Sequence, residues 1–351
     1  MMMQKFNKIL VVRTDCIGDV VLTTPSLKVL RENYPDAWIT LMVTPFTKDL
    51  VSANPYIDEI MVDDRKKRHK GFWGFIKLIK DIRKKKFDAA IIFHTKRRSN
   101  LFCFFAGVPH RIGYKNNKFG FLLTHPIKDT RHEGKKHETQ YCLDVLRSLG
   151  IKPIDCELHV SVTKESKEWL QEFLDKNKIL NKDFLIGVHP GGSDPSRHWP
   201  EYRYRILVDS IIDKYGCKII FLGGNDTVDV SDRIKRFSKH LESIYDLTGK
   251  TNLHQIAQML GRCNMVISNE SGILHVGSAI GAPTVAIFTR NQPGINPERW
   301  GPLSKKSKVI SVPLQKSIFS FKKAGSAPRQ LLELISVDEV LEAVDAIYKL
   351  C

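Results

Sequence analysis

Twice along this chain, apolar runs of strand length alternate with amphipathic stretches of helix length, and that alternation fixes the fold class. The first series occupies residues 9–13, 20–34, 38–43, 45–54, 59–62, 71–85, 89–93 and 99–106; the second occupies 184–189, 204–215, 218–222, 228–237, 253–261, 265–268, 272–281 and 284–288. A helix after every strand returns the chain to the same end of the sheet, so each series predicts a parallel sheet covered on both faces. At 351 residues the chain is too long for one such core and sufficient for two. The expected architecture is α/β: two Rossmann-like, doubly wound domains facing a cleft, with ligands at the carboxyl ends of the strands. Residues 1–165 form the first domain in this expectation, 166–183 a linker region and 184–351 the second domain, with the final helix packing back on the first.

Three strand-to-helix junctions carry the chemistry. In Ser268-Asn269-Glu270-Ser271-Gly272-Ile273-Leu274-His275 an apolar run breaks into a polar turn and then a helix. Free backbone N–H groups and the positive end of a helix dipole there form an anion site. Glu270, Ser271, Gly272 and His275 are its candidates, His275 equally suited to be a packed structural histidine. His189-Pro190-Gly191-Gly192-Ser193 leaves the first strand of the second series, and Arg197 follows. Gly191 and Gly192 permit close backbone approach to a phosphate, Ser193 adds a hydroxyl, and Arg197 offers a fork of donors that matches phosphate oxygens. Gly223-Gly224-Asn225-Asp226 repeats the pattern one strand later, with Asp226 able to accept from a ribose or an amino group. The third junction is Asp15-Cys16-Ile17-Gly18-Asp19 after the apolar run ending at Arg13. Asp19 there reads as a helix cap or as a catalytic base, and Asp15 competes with it.

Several alternatives are missing from the sequence: Gly-x-Gly-x-x-Gly, the Walker phosphate loop, His-Glu-x-x-His and Gly-x-Ser-x-Gly. Nor is there an Asp-x-Asp pair to hold a divalent ion against a diphosphate. The expectation is therefore no metal and no cofactor, with phosphates neutralised by Arg197, helix dipoles and backbone amides. Seven scattered cysteines without a Cys-x-x-Cys pair indicate reduced thiols. No apolar run reaches the roughly 18 residues that span a bilayer, and the N-terminal apolar run is too short for a signal peptide. A cytoplasmic protein is expected.

Charge is the compositional outlier. The net +17 divides into +12 over residues 1–160, from 29 Lys and Arg against 17 Asp and Glu, and +5 over the rest. Arg65-Lys66-Lys67-Arg68-His69-Lys70, Phe72-Trp73-Gly74-Phe75 and the bases from Lys77 to Lys86 form a basic segment interleaved with aromatics. Such a segment suits an anionic membrane surface or acceptor, a solvated helix face, or nucleic acid.

Together, Lys8 to Arg13 with Ile17-Gly18-Asp19-Val20-Val21-Leu22-Thr23-Thr24-Pro25, His189-Pro190-Gly191-Gly192 with Trp199-Pro200, and Ser268 to Gly272 with His275 resemble glycosyltransferase family 9, the ADP-heptose:lipopolysaccharide heptosyltransferases. The resemblance spans residues 8–290 and implies a GT-B fold and inverting, metal-independent transfer of heptose from ADP-heptose to the lipopolysaccharide inner core. It implies that Asp19 is the general base, that Arg197 stabilises the departing ADP, that Gly191, Gly192 and Ser193 border the phosphates, and that Glu270, Ser271 and Gly272 meet the sugar and diphosphate. Glu270 replaces the family's usual aspartate. The implied acceptor is lipid A–Kdo or a partial core at the cytoplasmic face of an anionic membrane, with Arg65, Lys66, Lys67, Arg97 and Arg98 on its side and no nucleic acid. Another nucleotide sugar, or a non-catalytic polyanion-binding role, remains open at this point.

Overall fold

A computed structural model describes residues 5–153, 157–192, 194, 198–314 and 329–350. The chain divides into two compact units, Met1–His132 with Lys136–Ser161, and Val162–Cys351 with Glu133–Lys135.

The first unit holds β1 (Lys8–Val12), β2 (Trp38–Val43), β3 (Glu59–Val62), β4 (Ala89–Ile92), β5 (His110–Lys115) and β6 (His125–Lys128) in one all-parallel sheet of order β3-β2-β1-β4-β5-β6. Because side chains alternate along a strand, a central strand covered on both faces must be apolar throughout. Ile9–Val12 meets that demand, and all four residues are buried. One face, with Leu10, Val12, Ala90 and Ile92, packs against α2 (Gly71–Lys85) and α3 (Arg97–Phe105) through Leu78, Ile79, Ile82 and Phe102. Helices α1 (Ile17–Asn33) and α4 (Glu138–Arg147) pack on each other.

The second unit repeats the topology with β7 (Leu185–His189), β8 (Lys218–Phe221), β9 (Ile244–Asp246), β10 (Met265–Asn269), β11 (Thr284–Phe288) and β12 (Ser307–Ser311), all parallel, in the order β12-β11-β10-β7-β8-β9. Its helices include α5 (Lys164–Lys176), α6 (Glu201–Tyr215), α7 (Val228–Arg236), α8 (Leu253–Arg262) and α9 (Gly272–Ala279). In each sheet the winding direction reverses between the first and fourth strands, β1 and β4 or β7 and β10. A crevice opens at the carboxyl ends of such a pair. Both units therefore direct ligands to the junctions singled out in the sequence.

Two expectations are corrected. The expected linker region 166–183 is helical up to Lys176: α5 starts at a Thr163/Ser166 capping box, packs on α8, and brings Phe173 against Tyr245. The first unit thus ends at Ser161 rather than 165. The final helix, Val337–Tyr348, lies in the second unit, within the expected 184–351. Its stripe Val340, Ala343, Val344 and Ile347 joins the core formed by Ile267, Val285 and Ile287. The helix expected at 45–54 is two 3-10 turns, Pro45–Thr47 and Asp49–Val51. Strands β6, β9 and β12 escape the sequence pattern because their residues are partly exposed and form no continuous apolar run. Among the described residues no helix is long and apolar enough to cross a membrane.

Candidate active site

Arg13 directly follows β1, and its backbone N–H continues the ladder to the Met42 carbonyl. Its side chain, only 2% exposed, is shared by three carboxylates. Nε lies 3.1 Å from Asp15 Oδ1, while Nη2 lies 2.5 Å from Asp19 Oδ1 and 3.1 Å from Glu138 Oε1. Glu138 opens α4, so the packing of α4 on α1 delivers it to this point. One buried guanidinium cannot neutralise three carboxylates. Burial, reinforced by Asp19 and Glu138 and opposed by Arg13, accordingly pushes Asp15 up to about 7. His94, which follows β4, places Nδ1 3.7 Å from Asp15 Oδ2. Burial, with Lys96 and Arg13 nearby, drives its pKa far down and keeps the ring neutral.

Asp19 is the third residue of α1, whose cap is Cys16 without any side-chain bond. The cap interpretation of Asp19 therefore falls. Arg13 holds Oδ1, and among the described residues no donor approaches Oδ2. The carboxylate is partly exposed and stands in the first helical turn. Asp19 is thus a carboxylate clamped through one oxygen, with the other left to solvent.

The raised Asp15 gives a testable pH dependence. The folded chain keeps this proton up to about pH 7, whereas an unfolded chain releases it near 3.9. The folded state binds more protons over that window, so stability falls as pH rises through it. Thermal melts are expected to show Asp15→Asn gaining stability over the wild type between about pH 4 and pH 7, with little difference below.

The bases expected on the acceptor side behave differently from one another. Arg98 makes two 2.8 Å bonds to the buried Asp63 and stacks 4.9 Å over Phe75. Arg65 bonds the same carboxylate at 2.9 Å and reaches Thr14 Oγ1 at 2.8 Å, next to Asp15. Asp63 thus anchors both arginines. Lys66, Lys67 and Arg97 are exposed, Arg97 lying 5.9 Å over Phe119.

In the second unit four adjacent strand ends converge. Asn269, at the end of β10, uses its whole amide: Oδ1 accepts from the Trp199 N–H at 3.2 Å and the Tyr204 hydroxyl at 2.9 Å, while Nδ2 donates to the carbonyls of Pro190 at 2.7 Å and Gly191 at 3.3 Å. It ties the turn after β7 to the start of α6. Thr227 fills the space between that turn and β8. A Cβ on Gly191 would lie 2.4 Å from Thr227 Oγ1, and one on Gly223, at φ +155°, 2.6 Å from it. Glycine at both positions is what lets the two loops close on Thr227. His189 donates from Nδ1 to the Leu222 carbonyl at 2.8 Å, and burial lowers its pKa to about 4, so it stays neutral. Asp226 is exposed on the next turn. Asn269→Ala leaves the buried Tyr204 hydroxyl and the Trp199 amide without their acceptor. Urea denaturation is expected to register a loss of about 2–3 kcal/mol.

Ser271 caps α9 from an extended backbone, but its hydroxyl lies 3.0 Å from Ser268 Oγ and makes no capping bond. The first-turn amides after Gly272 thus have no side-chain cap, as an anion site requires. Glu270 is held by an arginine. Its two oxygens accept from Arg290 Nε at 2.7 Å and Nη2 at 3.0 Å, a two-bond pair largely buried at the ends of β10 and β11. His275 is buried within α9. Ser193 and Arg197 lie outside the described residues.

Comparison with known proteins now gives these junctions a context. The model of glycosyltransferase family 9 (heptosyltransferase) matches residues 75–327, more than two thirds of the chain. The chain belongs to glycosyltransferase family 9. This family 9 glycosyltransferase is similar to lipopolysaccharide heptosyltransferase 2 of Escherichia coli K12, 26% identical over 314 residues, covering 86% of this chain and 87% of that protein. Among solved structures it resembles the family 9 glycosyl transferase of Veillonella parvula DSM 2008, with TM-score 0.86, 28% identity, and coverage of 100% and 99% of the two chains. It also resembles the E. coli ADP-heptose lps heptosyltransferase II, with TM-score 0.78, 24% identity, and coverage of 98% and 99%. The paired Rossmann-like units are those of the expected GT-B class.

Sequence reasoning did not single out Arg13, His94 and Glu138, which the fold groups with Asp15 and Asp19 in the first unit, or Arg290, which it pairs with Glu270 in the second. The signal for two of them was present: Arg13 and Arg290 are charged residues just beyond apolar strand runs, where a solvated loop residue has no need to be basic. Glu138 and His94 come from distant segments, and only the fold brings them to Arg13.

Proposed function

We propose that this family 9 enzyme is an inverting, metal-independent heptosyltransferase that moves L-glycero-D-manno-heptose from ADP-heptose to the lipopolysaccharide inner core. Its acceptor is lipid A–Kdo or a partial core at the cytoplasmic face of the membrane, which it meets as a peripheral protein. The observation that carries this is Asp19, held through one oxygen by Arg13 and presenting the other. In the transfer the acceptor hydroxyl oxygen attacks the anomeric carbon, its proton passes to Asp19 Oδ2, the bond from that carbon to the diphosphate oxygen breaks, and ADP leaves. The uncapped start of α9, the Gly191-Gly192 turn, Ser193 and Arg197 receive the negative charge that develops on the diphosphate. The names of the E. coli relatives, a lipopolysaccharide heptosyltransferase and an ADP-heptose heptosyltransferase, support the donor and acceptor class.

The Glu270–Arg290 pair favours a second reading, in which the same fold takes a different nucleotide sugar. A glutamate whose two oxygens are committed to Arg290 meets a donor sugar differently from an unengaged carboxylate. ADP release from ADP-heptose with a lipid A–Kdo acceptor, unchanged by chelator, tests the first reading. A larger thermal shift with UDP or GDP than with ADP would move the assignment to the second.

A further inference from the structure

We propose that the outer surface of the α2–α3 layer is the face by which this enzyme lies on an anionic lipid bilayer, with lysines on the phosphates and aromatic rings in the headgroup region. The proposal deepens the membrane contact of the reading above and takes its occupant from that reading.

Helix α2 buries Leu78, Ile79 and Ile82 against the sheet. Trp73, Lys77, Lys80 and Lys84, spaced i, i+4, i+7 and i+11, form the opposite stripe, and all four are exposed. Phe72 and Trp73, 69% and 80% exposed, meet edge to face at the head of this stripe. The neighbouring α3 adds exposed Phe104 and Phe105, and Arg83 of α2 donates to the Phe105 carbonyl. Phe121, 73% exposed, projects from the adjoining turn Gly120–Leu122, which packs on α3. Cations interleave with these rings: Arg111 lies 5.5 Å over Phe104, and Arg97 lies 5.9 Å over Phe119, which touches Phe121.

Five large exposed aromatics on one layer are more than isolated surface residues, and such patches mark interaction sites. Charge complementarity selects the partner. Residues 65–122 contain 17 Lys and Arg and two acids, Asp81 and Asp88. Asp81 pairs with Arg68, and Asp88 accepts from the backbone of Asn7 and Lys8, so neither offsets the lysine stripe. Basic side chains beside Trp and Phe are the composition of an interfacial helix face. A single-stranded nucleic acid is instead tracked by a groove with bases stacked in it. Rings as exposed as Phe72, Trp73 and Phe121 stand out from the surface rather than line one.

The test is co-sedimentation of the full chain with phosphatidylcholine vesicles, with and without phosphatidylglycerol. The wild type is expected to bind only the anionic vesicles and to be released by salt. Lys77→Glu/Lys80→Glu/Lys84→Glu is expected to weaken partitioning by about 100-fold or more, each surface lysine contributing roughly fivefold. Phe72→Ser/Trp73→Ser is expected to weaken it about tenfold, and Lys176→Glu/Lys182→Glu/Lys239→Glu in the second unit is expected to change it little. All these residues are exposed, and matching thermal melts will show that the variants fold. Wild-type chain left in the supernatant, equal binding by the first two variants, or binding of single-stranded DNA in place of vesicles would each overturn the proposal. ADP release from ADP-heptose with a soluble, deacylated acceptor is measured alongside. Its absence with vesicle binding intact counts against the enzymatic reading and leaves the surface assigned.

Discussion

Asp19→Asn is expected to lower kcat by about 10²- to 10⁴-fold while leaving the donor KM within a few-fold of wild type. The amide keeps the size of the side chain and still offers Arg13 one oxygen, so the local packing survives. It cannot take a proton from an acceptor hydroxyl. The loss therefore falls on the chemical step rather than on binding. Asp15→Asn is the matched control. Asp15 faces Arg13 with one oxygen and His94 with the other, and it is the carboxyl of this cluster that burial keeps protonated near neutral pH. Its variant is expected to retain kcat within about tenfold. Steady-state ADP release measures both. An Asp19→Asn enzyme as fast as wild type removes Asp19 from the role of base, and an Asp15→Asn enzyme as slow as Asp19→Asn makes the two carboxyls a unit.

Arg13→Met is expected to destabilise the first unit by about 3–5 kcal/mol, the cost of leaving buried charge without its partner. Arg13 is sealed between β1, α1 and α4, and its removal leaves Asp15, Asp19 and Glu138 facing one another. Arg13 is the charge that most opposes burial at Asp15, so without the guanidinium Asp15 is pushed further toward its protonated form in the folded chain, while the unfolded chain still releases that proton near pH 4. The variant thus keeps most of its stability below about pH 4 and loses it as pH rises toward 8. Urea denaturation at both ends of that range measures the gap. Adding Glu138→Gln removes one of the opposing charges and is expected to recover part of the loss at high pH, as coupled neighbours do. A constant gap across pH would show that Arg13 acts through packing alone.

Much of the fold was legible because its central strands are buried on both faces and must be apolar throughout. Ile9–Val12 and Leu185–Val188 could be recognised for that reason. Edge strands such as Ser307–Ser311 face no such demand and carry no comparable pattern. The domain boundary was misjudged because polar residues 178–183 look like a linker, whereas the helix before them is held by its contacts with α8 and Tyr245. Those contacts are long-range and leave no local mark.

The site divides in the same way. Asp19, the Gly191-Gly192 turn and the Ser271-Gly272 helix start could be found from local sequence, since each depends on what a strand-to-helix turn does to the backbone over a few residues. Glu270 was also found, but its partner was not. Arg290 lies one strand further on, and only the β10–β11 pairing brings its guanidinium to both glutamate oxygens. Asn269 reads as one more polar turn residue until its four bonds reveal it as the tie between the β7 turn and α6. Sequence alone determined where backbone dipoles and a candidate base would stand, because helix starts and apolar runs are written locally. Which charges surround them was decided by tertiary structure alone. Arg13, Asp15, Asp19 and Glu138 meet only when α4 packs on α1, and the balance of buried charge, hence the protonation of the cluster, exists only in the folded chain.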